Sequence, residues 1–184
     1  MRIISGKFKG RKIFEPVNLK TRPLKDLTKE SIFNIIKHSN LIKVDIENSN
    51  ILDLFSGTGS FGLECISRGA SKVTFFENYK SVIKILKKNI HYFGCEKKTN
   101  IIEKDIFNKE KFYFDEKFEI IFLDPPYKEK KITNIINRIY ELNIIKKNGI
   151  IILHRHKREK DKFPNKFKPF IEKNYGISKI IFGN

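Results

Sequence analysis

This sequence of 184 residues has little cysteine, no long apolar run and few acidic residues. Its two cysteines stand apart, without the CxxC spacing or the Cys/His cluster of a zinc site, and so we expect no metal and a reducing compartment. No run approaches the roughly 18 apolar residues of a membrane-spanning helix, and the first residues lack the apolar segment of a secretory signal. These absences predict a cytoplasmic protein without a membrane partner.

The shortage of acidic residues leaves a formal net charge of +17, with 38 Lys and Arg against 21 Asp and Glu. Such an excess indicates a polyanionic partner, because basic side chains supply the sequence-independent part of nucleic-acid affinity. A composition bias is the alternative, since only seven of the basic residues are Arg. The positive charge is concentrated in residues 1–25 and 154–173, which favours RNA or DNA as the partner.

Apolar runs and helical patterns alternate along most of the chain, which predicts an α/β fold with a mostly parallel sheet. Gly69 and Gly94 follow two of the helical patterns, as helix ends require. Two strands that flank Gly176 predict a closing hairpin. The predicted strands are residues 51–54, 72–76, 100–103, 119–123, 150–153, 171–175 and 177–182, and the helices are residues 60–68, 79–93 and 131–142.

The first 40 residues are predicted to form a small extension that precedes the alternating part of the chain. Its predicted elements are a hairpin with strands at 2–5 and 11–14, a linker at 16–23 and an amphipathic helix at 25–37. The tip of this hairpin carries Lys7, Lys9, Arg11 and Lys12. We therefore divide the chain into an extension, residues 1–40, and a main domain, residues 41–184.

The first strand of the main domain ends at Asp53 and leads into a glycine-rich turn. Gly57, Gly59 and Gly62 form the pattern GxGxxG between a strand and a helix, the context in which such a loop lets a nucleoside cofactor approach the backbone. No GxxxxGKS/T pattern occurs, so this is not the phosphate-binding loop of ATPases. Asp53 either binds a ligand group or caps the next helix.

The second and third strands also end near acidic residues. Glu77 lies about twenty residues past the first glycine, where a carboxylate accepts both ribose hydroxyls in dinucleotide folds, although a helix N-terminus also suits it. Asp105 lies where an adenine amino group would bind, or it caps a helical turn that starts at Ile106. Asp53 favours S-adenosylmethionine over NAD, because a carboxylate there repels a pyrophosphate and attracts a cationic amino acid.

The fourth strand ends in Asp124-Pro125-Pro126-Tyr127. The prolines stiffen this turn, and Asp124 with the carbonyl of Pro125 then accepts both hydrogens of a planar exocyclic amine. The nitrogen lone pair is thereby directed at a methyl donor, while the Tyr127 ring stacks on the base. The alternative is an ordinary turn stiffened by prolines, with the Tyr in the core. It is the weaker interpretation because the glycine loop occurs in the same chain. The two motifs together predict methyl transfer to an amino group of a base.

Seven segments of the chain occur in the order found in a known family. They are Arg-Ile-Ile-Ser-Gly at 2–6, Gly-Arg-Lys at 10–12, Thr-Arg-Pro at 21–23, Lys-Glu-Ser-Ile-Phe-Asn at 29–34, the glycine loop and helix start at 53–64, Ser-Arg-Gly-Ala at 67–70 and Asp-Pro-Pro-Tyr at 124–127. Over nearly its whole length the chain resembles the bacterial 16S ribosomal RNA guanine-N2 methyltransferases. Asp-Pro-Pro-Tyr alone is shared with DNA amino-methyltransferases, whereas the opening segment is more specific.

The resemblance implies a class I, Rossmann-like methyltransferase fold with a seven-stranded, mostly parallel sheet and an N-terminal hairpin and helix that bind RNA and cover the cofactor. It implies S-adenosylmethionine as donor, S-adenosylhomocysteine as product, and a guanine of 16S rRNA in the small ribosomal subunit as acceptor. The expected catalytic residues are Asp124, Pro125, Pro126 and Tyr127. The expected cofactor residues are Asp53, Phe55, Ser56, Gly57, Gly59, Glu77, Asn78, Asp105 and Ile106. The expected RNA-binding residues are Lys7, Lys9, Arg11, Lys12 and Arg22. The net charge of +17, by itself, suggests a monomer that gains its affinity from rRNA.

The chain departs from the family pattern Arg-Pro-Thr-x-Asp-Arg-x-x-Glu at two positions, where Leu24 and Leu27 replace the Thr and the second Arg. If that Arg touches the substrate, its role passes here to Lys25, Lys29 or Arg22.

The role of one basic run is open, and so are three other functions of the chain. The run His-Arg-His-Lys-Arg at 154–158 follows the fifth strand and either grips phosphates or forms a solvated loop. The other functions are a DNA adenine-N6 or cytosine-N4 amino-methyltransferase, a non-catalytic RNA-binding factor of ribosome assembly, and an NAD-dependent reductase. The short chain lacks the recognition domain that a DNA enzyme usually needs, and the intact motifs argue against the assembly factor.

Overall fold

The computed structural model describes residues 1–16, 24–108 and 112–184. Within these ranges the chain forms four α-helices and seven strands, and no helix is long and apolar enough to cross a membrane. The helices are α1 (Asp26–His38), α2 (Ser60–Ser67), α3 (Lys80–Phe93) and α4 (Ile132–Glu141). The strands are β1 (Asn50–Leu54), β2 (Lys72–Phe76), β3 (Thr99–Ile102), β4 (Phe118–Leu123), β5 (Ile145–His156), β6 (Pro169–Tyr175) and β7 (Ser178–Gly183). Most of the predicted linker at 16–23, with Arg22, lies outside the described residues.

The strands and helices predicted for the main domain are all present, and most of their ends agree to within two residues. The largest difference concerns β5, which spans Ile145–His156 rather than the predicted 150–153. Its C-terminal half is longer because β7 pairs with it as far as His156, opposite Ser178, so that polar residues continue the ladder. The basic run at 154–158 therefore begins inside the sheet.

The strands of the described chain form one sheet in the order β3-β2-β1-β4-β5-β7-β6. Strands β1 to β5 run parallel, and β7 lies antiparallel between β5 and β6, which confirms a mostly parallel sheet with a closing hairpin. β1 and β4 are neighbours, and Leu54 pairs with Leu123 at their ends. The glycine loop and the Asp-Pro-Pro-Tyr turn consequently leave the same edge of the sheet side by side.

Two apolar cores cover the two faces of the sheet, as expected for parallel strands that are buried on both sides. One core contains side chains from α1, α2 and α3, and the other contains side chains from α4. Phe61 of α2 stacks on Phe122 of β4 with ring centroids 4.0 Å apart. This contact holds the start of α2 against the centre of the sheet, next to the glycine loop.

The N-terminal segment forms the predicted hairpin, reduced to a single bridge between Arg2 and Lys12. Its apolar residues Ile3, Phe8 and Ile13 pack into the core that contains α1, α2 and α3. Hydrogen bonds from three side chains of the main domain fix the segment further. Glu64 accepts the N–H groups of Ile4 and Ser5, Ser67 Oγ accepts that of Phe8, and the Asn89 amide bonds both backbone groups of Phe14.

Candidate active site

A cavity of about 640 Å³ opens at the edge of the sheet where β1, β2 and β4 end. Its volume is typical of cofactor and substrate sites, and ligands bind at this edge in open α/β sheets. The walls come from the loops after these strands, the start of α2, Phe107 and the N-terminal segment. The lining residues are Met1, Glu15, Pro16, Leu24, Asp53, Phe55, Ser56, Gly57, Thr58, Ser60, Phe61, Glu77, Asn78, Tyr79, Phe107, Phe122, Asp124, Pro125, Pro126, Tyr127 and Glu129.

Most of the site residues predicted from the sequence meet in this cavity. All four of the expected catalytic residues line it, and so do the expected cofactor residues Asp53, Phe55, Ser56, Gly57, Glu77 and Asn78. Gly59, Asp105 and Ile106 do not line it. The two motifs that stand far apart in the sequence thus share one binding space.

Asp53 is a buried carboxylate at the end of β1, with 1% of its surface exposed. Its Oδ2 accepts the N–H of Gly62 in the first turn of α2 at 3.0 Å, so the helix-capping role considered from the sequence is present. Burial raises the pKa of the Asp53 carboxyl well above its usual range, and the Asp124 and Glu77 carboxylates raise it further. The hydrogen bond from Gly62 lowers this pKa but does not offset the effect of burial. Asp53 also lines the cavity, where a cationic group would favour its charged form.

The turn after β1 presents an unsatisfied hydroxyl and open backbone to the cavity. Ser56 Oγ is buried and has no hydrogen-bond partner among the described residues. Gly57 has a φ of +55°, and a side chain carbon added there would meet no described atom within 4 Å. Phe55 adopts a φ of +58°, which is unfavourable for a residue with a side chain. A polar ligand that fills this space would satisfy Ser56 and contact the backbone of Gly57.

The other two glycines of the pattern are explained by packing. At Gly59, which has a φ of +84°, an added carbon would lie 2.5 Å from Leu86 Cδ1. At Gly62, it would lie 2.3 Å from the ring of Phe75 in β2. These two glycines therefore let α2 approach β2 and α3 closely, and only Gly57 of the three leaves room for a ligand.

Glu77 connects the turn after β1 with the start of α3. Its Oε2 accepts the N–H of Gly57 at 2.9 Å, and its Oε1 accepts those of Asn78 and Tyr79 at 3.0 Å each. The helix-terminus role considered from the sequence is thus observed. A carboxylate has about four acceptor positions and three are used, so Glu77 can still accept a ligand hydroxyl within the cavity.

The end of β3 is placed differently from the prediction. Asp105 is exposed, and its Oδ1 accepts the N–H of Phe107 at 3.0 Å in a local turn. Ile106 is buried in the core beside α4. Phe107 lines the cavity instead, in a stretch where the sequence pattern indicates no clear element. The hydrogen bond of Asp105 agrees with the alternative that it caps the turn starting at Ile106, and the loop predicted from this strand end reaches the cavity through Phe107.

The Asp-Pro-Pro-Tyr turn is held by hydrogen bonds at each end. Asp124 N–H donates to Leu54 O of β1 at 3.2 Å, and Asp124 Oδ1 lies 2.7 Å from His154 Nδ1. The hydroxyl of Tyr127 lies 3.3 Å from Ser178 Oγ, and its ring makes a T-shaped contact with the His156 ring, with centroids 4.9 Å apart. These contacts fix both the carboxylate and the aromatic ring at the cavity wall.

Arg155 supports the same turn from the neighbouring strand. It is 1% exposed and binds Asp161 with two nitrogens, at 2.9 and 2.8 Å. It also donates to Pro126 O at 3.3 Å and to Glu129 O at 2.8 Å. Both interpretations of the basic run, a phosphate grip and a solvated loop, are therefore wrong for His154 and Arg155, which are buried between β4 and β7.

The predicted RNA-binding residues of the hairpin have two kinds of environment. Lys7, Lys9 and Lys12 are exposed. Arg11 is partly buried, and its guanidinium lies over the rings of Tyr92 and Phe93, 4.3 and 4.6 Å from their centroids. The fifth candidate, Arg22, lies outside the described residues. Arg11 thus has a packing role whatever else it contacts.

The two leucines that depart from the family pattern are also unlike each other. Leu24 is buried and lines the cavity, whereas Leu27 is 71% exposed. Lys29, one of the residues considered as a substitute for the missing Arg, is fully buried and donates to Arg2 O at 2.7 Å and Ser60 Oγ at 3.2 Å. Burial lowers the pKa of Lys29, although the Glu64 carboxylate 3.7 Å away has the opposite effect. Lys29 is therefore a structural residue, and exposed Lys25 remains available.

Three comparisons place the chain among known proteins. Residues 1–184 match the model of a family described as conserved hypothetical protein 95. The chain is 32% identical over 183 residues to ribosomal RNA small subunit methyltransferase D of Haemophilus influenzae, covering 96% of this chain and 90% of that protein. It is 34% identical over 163 residues to putative rRNA methyltransferase YlbH of Bacillus subtilis, covering 86% of this chain and 84% of that protein.

A solved structure has a similar fold. A putative methyltransferase, yhhF, from Escherichia coli superimposes with a TM-score of 0.83 at 24% identity, covering 100% of this chain and 96% of that one. The class I methyltransferase fold expected from the sequence is thereby confirmed, and so is the resemblance to the small-subunit rRNA methyltransferases.

Proposed function

We propose that this chain, which belongs to the family described as conserved hypothetical protein 95, transfers a methyl group from S-adenosylmethionine to the exocyclic N2 of a guanine in 16S rRNA. The observation that carries the proposal is the single cavity shared by the turn after β1 and the Asp-Pro-Pro-Tyr turn after β4. Relatives named as rRNA methyltransferases support the reaction and the class of substrate.

The residues around the turn after β1 fit S-adenosylmethionine. Buried Asp53 suits its cationic amino acid part, the unsatisfied Ser56 hydroxyl and the open space at Gly57 suit its polar groups, and Glu77 suits its ribose. Phe55, Asn78 and Phe107 supply further walls of the cavity. When bound, the group supplies an electrophilic methyl on a sulfonium. Gly59 contributes through packing, and Asp105 and Ile106 through the loop that carries Phe107.

The residues after β4 bind and orient the guanine in this proposal. Asp124 and the carbonyl of Pro125 accept the two hydrogens of the exocyclic amine, which holds the nitrogen in the plane of these acceptors. Pro125 and Pro126 keep the turn rigid, and Tyr127 stacks on the base through a ring that Ser178 and His156 hold in place. The base must leave its stack to reach this depth.

The N-terminal residues contribute to RNA binding and to closure of the cavity in this proposal. Met1, Glu15, Pro16 and Leu24 form one wall of it, so the extension assigned to residues 1–40 covers the site that the domain of residues 41–184 provides. The exposed lysines of the hairpin and the excess positive charge supply affinity for phosphates. We expect a cytoplasmic monomer that acts on the small ribosomal subunit.

The direct test uses S-adenosylmethionine labelled with tritium in its methyl group. The chain is incubated with small ribosomal subunits from cells that lack it, and the RNA is digested to nucleosides. We expect the label in N2-methylguanosine. Label in another nucleoside, or transfer only to adenine or cytosine of DNA, would contradict the proposed substrate. It would still support the proposed methyl transfer.

An Asp124→Ala variant separates the enzyme from an RNA-binding assembly factor. We expect it to lose transfer by at least about a hundredfold, because the amine loses one of its two acceptors and the charged one, while its affinity for subunits stays within about twofold. Failure of the unmodified chain to label subunits, free rRNA or DNA would contradict the proposal and favour the assembly factor. Binding of nicotinamide dinucleotide in a calorimeter, without binding of S-adenosylmethionine, would favour the reductase.

A further inference from the structure

His154 occupies a position at the active site for which the sequence motifs assign no role. It lies in β5 beside the end of β4, and only 1% of its surface is exposed. Leu123 pairs with Leu153 in the parallel ladder, so the next residues along the two strands, Asp124 and His154, are brought together. Their side chains meet with 2.7 Å between Nδ1 and Oδ1.

The hydrogen of this bond belongs to the imidazole. A carboxylate has only acceptor atoms, so His154 Nδ1 carries the hydrogen and Asp124 Oδ1 accepts it. The donor is aimed at the one carboxylate that the proposed function places against the substrate amine. One of the two Asp124 oxygens is therefore committed to the protein before any ligand arrives.

The surroundings of Asp124 make its orientation depend on this donor. The backbone on either side is already fixed, because Asp124 N–H bonds Leu54 O and Pro126 O accepts from Arg155. The torsion of the carboxylate is the freedom that remains. Carboxylates also line the same cavity at Glu77 and Glu129, and neither can donate a hydrogen bond to Asp124 while ionised.

We propose that His154 is a positioning residue for methyl transfer: it holds Asp124 Oδ1, so that Oδ2 faces the cavity as the acceptor for the substrate N–H. This inference rests on the proposed function, and it concerns the alignment of the amine rather than cofactor binding. Alignment of an acceptor to within a fraction of an ångström has a large effect on a transfer rate and little effect on affinity for the other substrate. His154 consequently affects the turnover number and leaves binding of S-adenosylmethionine unchanged.

Two variants of similar size separate the donor from the volume of the side chain. In His154→Asn the amide nitrogen takes the place of Nδ1 on the same two-bond path from Cβ, so the bond to Asp124 can form. In His154→Leu the volume is similar and the donor is absent. We expect kcat for transfer to small subunits to fall roughly 10- to 100-fold in the Leu variant and to stay within about threefold in the Asn variant.

Calorimetric binding of S-adenosylmethionine should match the unmodified chain in both variants, and thermal unfolding of each variant checks that it is folded at the assay temperature. If the Leu variant does not fold, His154→Ala replaces it in the same comparison. Unchanged kcat without the donor, or an equal loss in the Asn and Leu variants, would overturn the inference while the proposed function stands. Absence of transfer by the unmodified chain would instead overturn the proposed function and this inference with it.

Discussion

The Glu64 carboxylate of α2 accepts the backbone N–H of Ser5 at 2.9 Å, although the two residues are 59 positions apart in the chain. The same carboxylate accepts the N–H of Ile4 at 2.7 Å, binds Arg68 at 2.8 Å and lies 3.7 Å from Lys29. It has no exposed surface. One buried acidic side chain thus joins the N-terminal segment, α1 and α2.

Replacement of Glu64 should therefore destabilise the whole chain. We expect Glu64→Ala to lower the free energy of unfolding by about 3–5 kcal/mol, because the buried Lys29 ammonium loses its buried counter-charge and two N–H groups lose their acceptor. Glu64→Gln keeps one acceptor oxygen and should cost less, about 1–3 kcal/mol. Urea denaturation followed by circular dichroism measures both. A decrease below about 1 kcal/mol for the Ala variant would contradict the assigned role.

Asp53 should lower stability at neutral pH and support cofactor binding. Since burial raises its pKa above the usual 3.8, the native state binds more protons than the unfolded state between that value and the raised one. The free energy of unfolding therefore falls as the pH rises through this window. Asp53→Asn cannot ionise and still offers an oxygen to Gly62 N–H, so it should lack this fall and be the more stable protein at neutral pH.

The same Asp53→Asn variant should bind S-adenosylmethionine roughly tenfold or more weakly, since it loses a charged acceptor. Thermal unfolding across pH and calorimetric titration measure the two effects. If the free energy of unfolding of the variant falls over the same pH window as that of the unmodified chain, another group titrates there.

The glycines of the turn after β1 should separate binding from stability. Gly62→Ala places a carbon against the Phe75 ring and should lower the free energy of unfolding by about 1–3 kcal/mol. Gly57→Ala has open space and only its positive φ to overcome, about 1–2 kcal/mol, but it intrudes on the cavity. We expect cofactor affinity to fall more in the Gly57 variant. Equal affinity for both variants would place the cofactor elsewhere in the cavity.

The hairpin lysines should act through phosphates and Arg11 through packing. Replacing Lys7, Lys9 and Lys12 together by Ala should reduce the slope of log affinity against log salt for 16S rRNA by about 2, at roughly 0.7 for each phosphate that is no longer neutralised. Arg11→Ala should instead lower the free energy of unfolding by about 1–2 kcal/mol, because the variant cannot stack on Tyr92 and Phe93. An unchanged salt slope in the triple variant would show that the hairpin tip does not contact RNA phosphates.

The sequence allowed the central sheet to be predicted because parallel strands buried on both faces appear as continuous apolar runs. It also identified two walls of the cavity, since β1 and β4 end in recognisable turns and are neighbours. The C-terminal end of β5 was missed because His154 and Arg155 are polar, and their burial depends on β7 and on Asp161, which lie elsewhere in the chain.

Contacts between distant segments account for the other differences. Phe107 replaces Asp105 and Ile106 at the cavity wall through the path of a loop, which local pattern does not determine. Met1, Glu15 and Leu24 line the cavity because the N-terminal segment packs across the ends of the strands. His154 had one usable signal, its position directly after the β5 residue that pairs with the end of β4. Recognising it requires the register of the two strands as well as the order of residues.

The attachment of the N-terminal segment has a consequence for how the protein is made. Its anchoring groups, on Glu64, Ser67 and Asn89, follow their partners by 59 to 75 positions, so a growing chain exposes the hairpin well before any of these groups has left the ribosome. Contacts so remote in sequence form late and slow the overall rate. The hairpin should thus be synthesised before the groups that anchor it and be among the last parts to gain protection from hydrogen exchange, after the strands at the centre of the sheet.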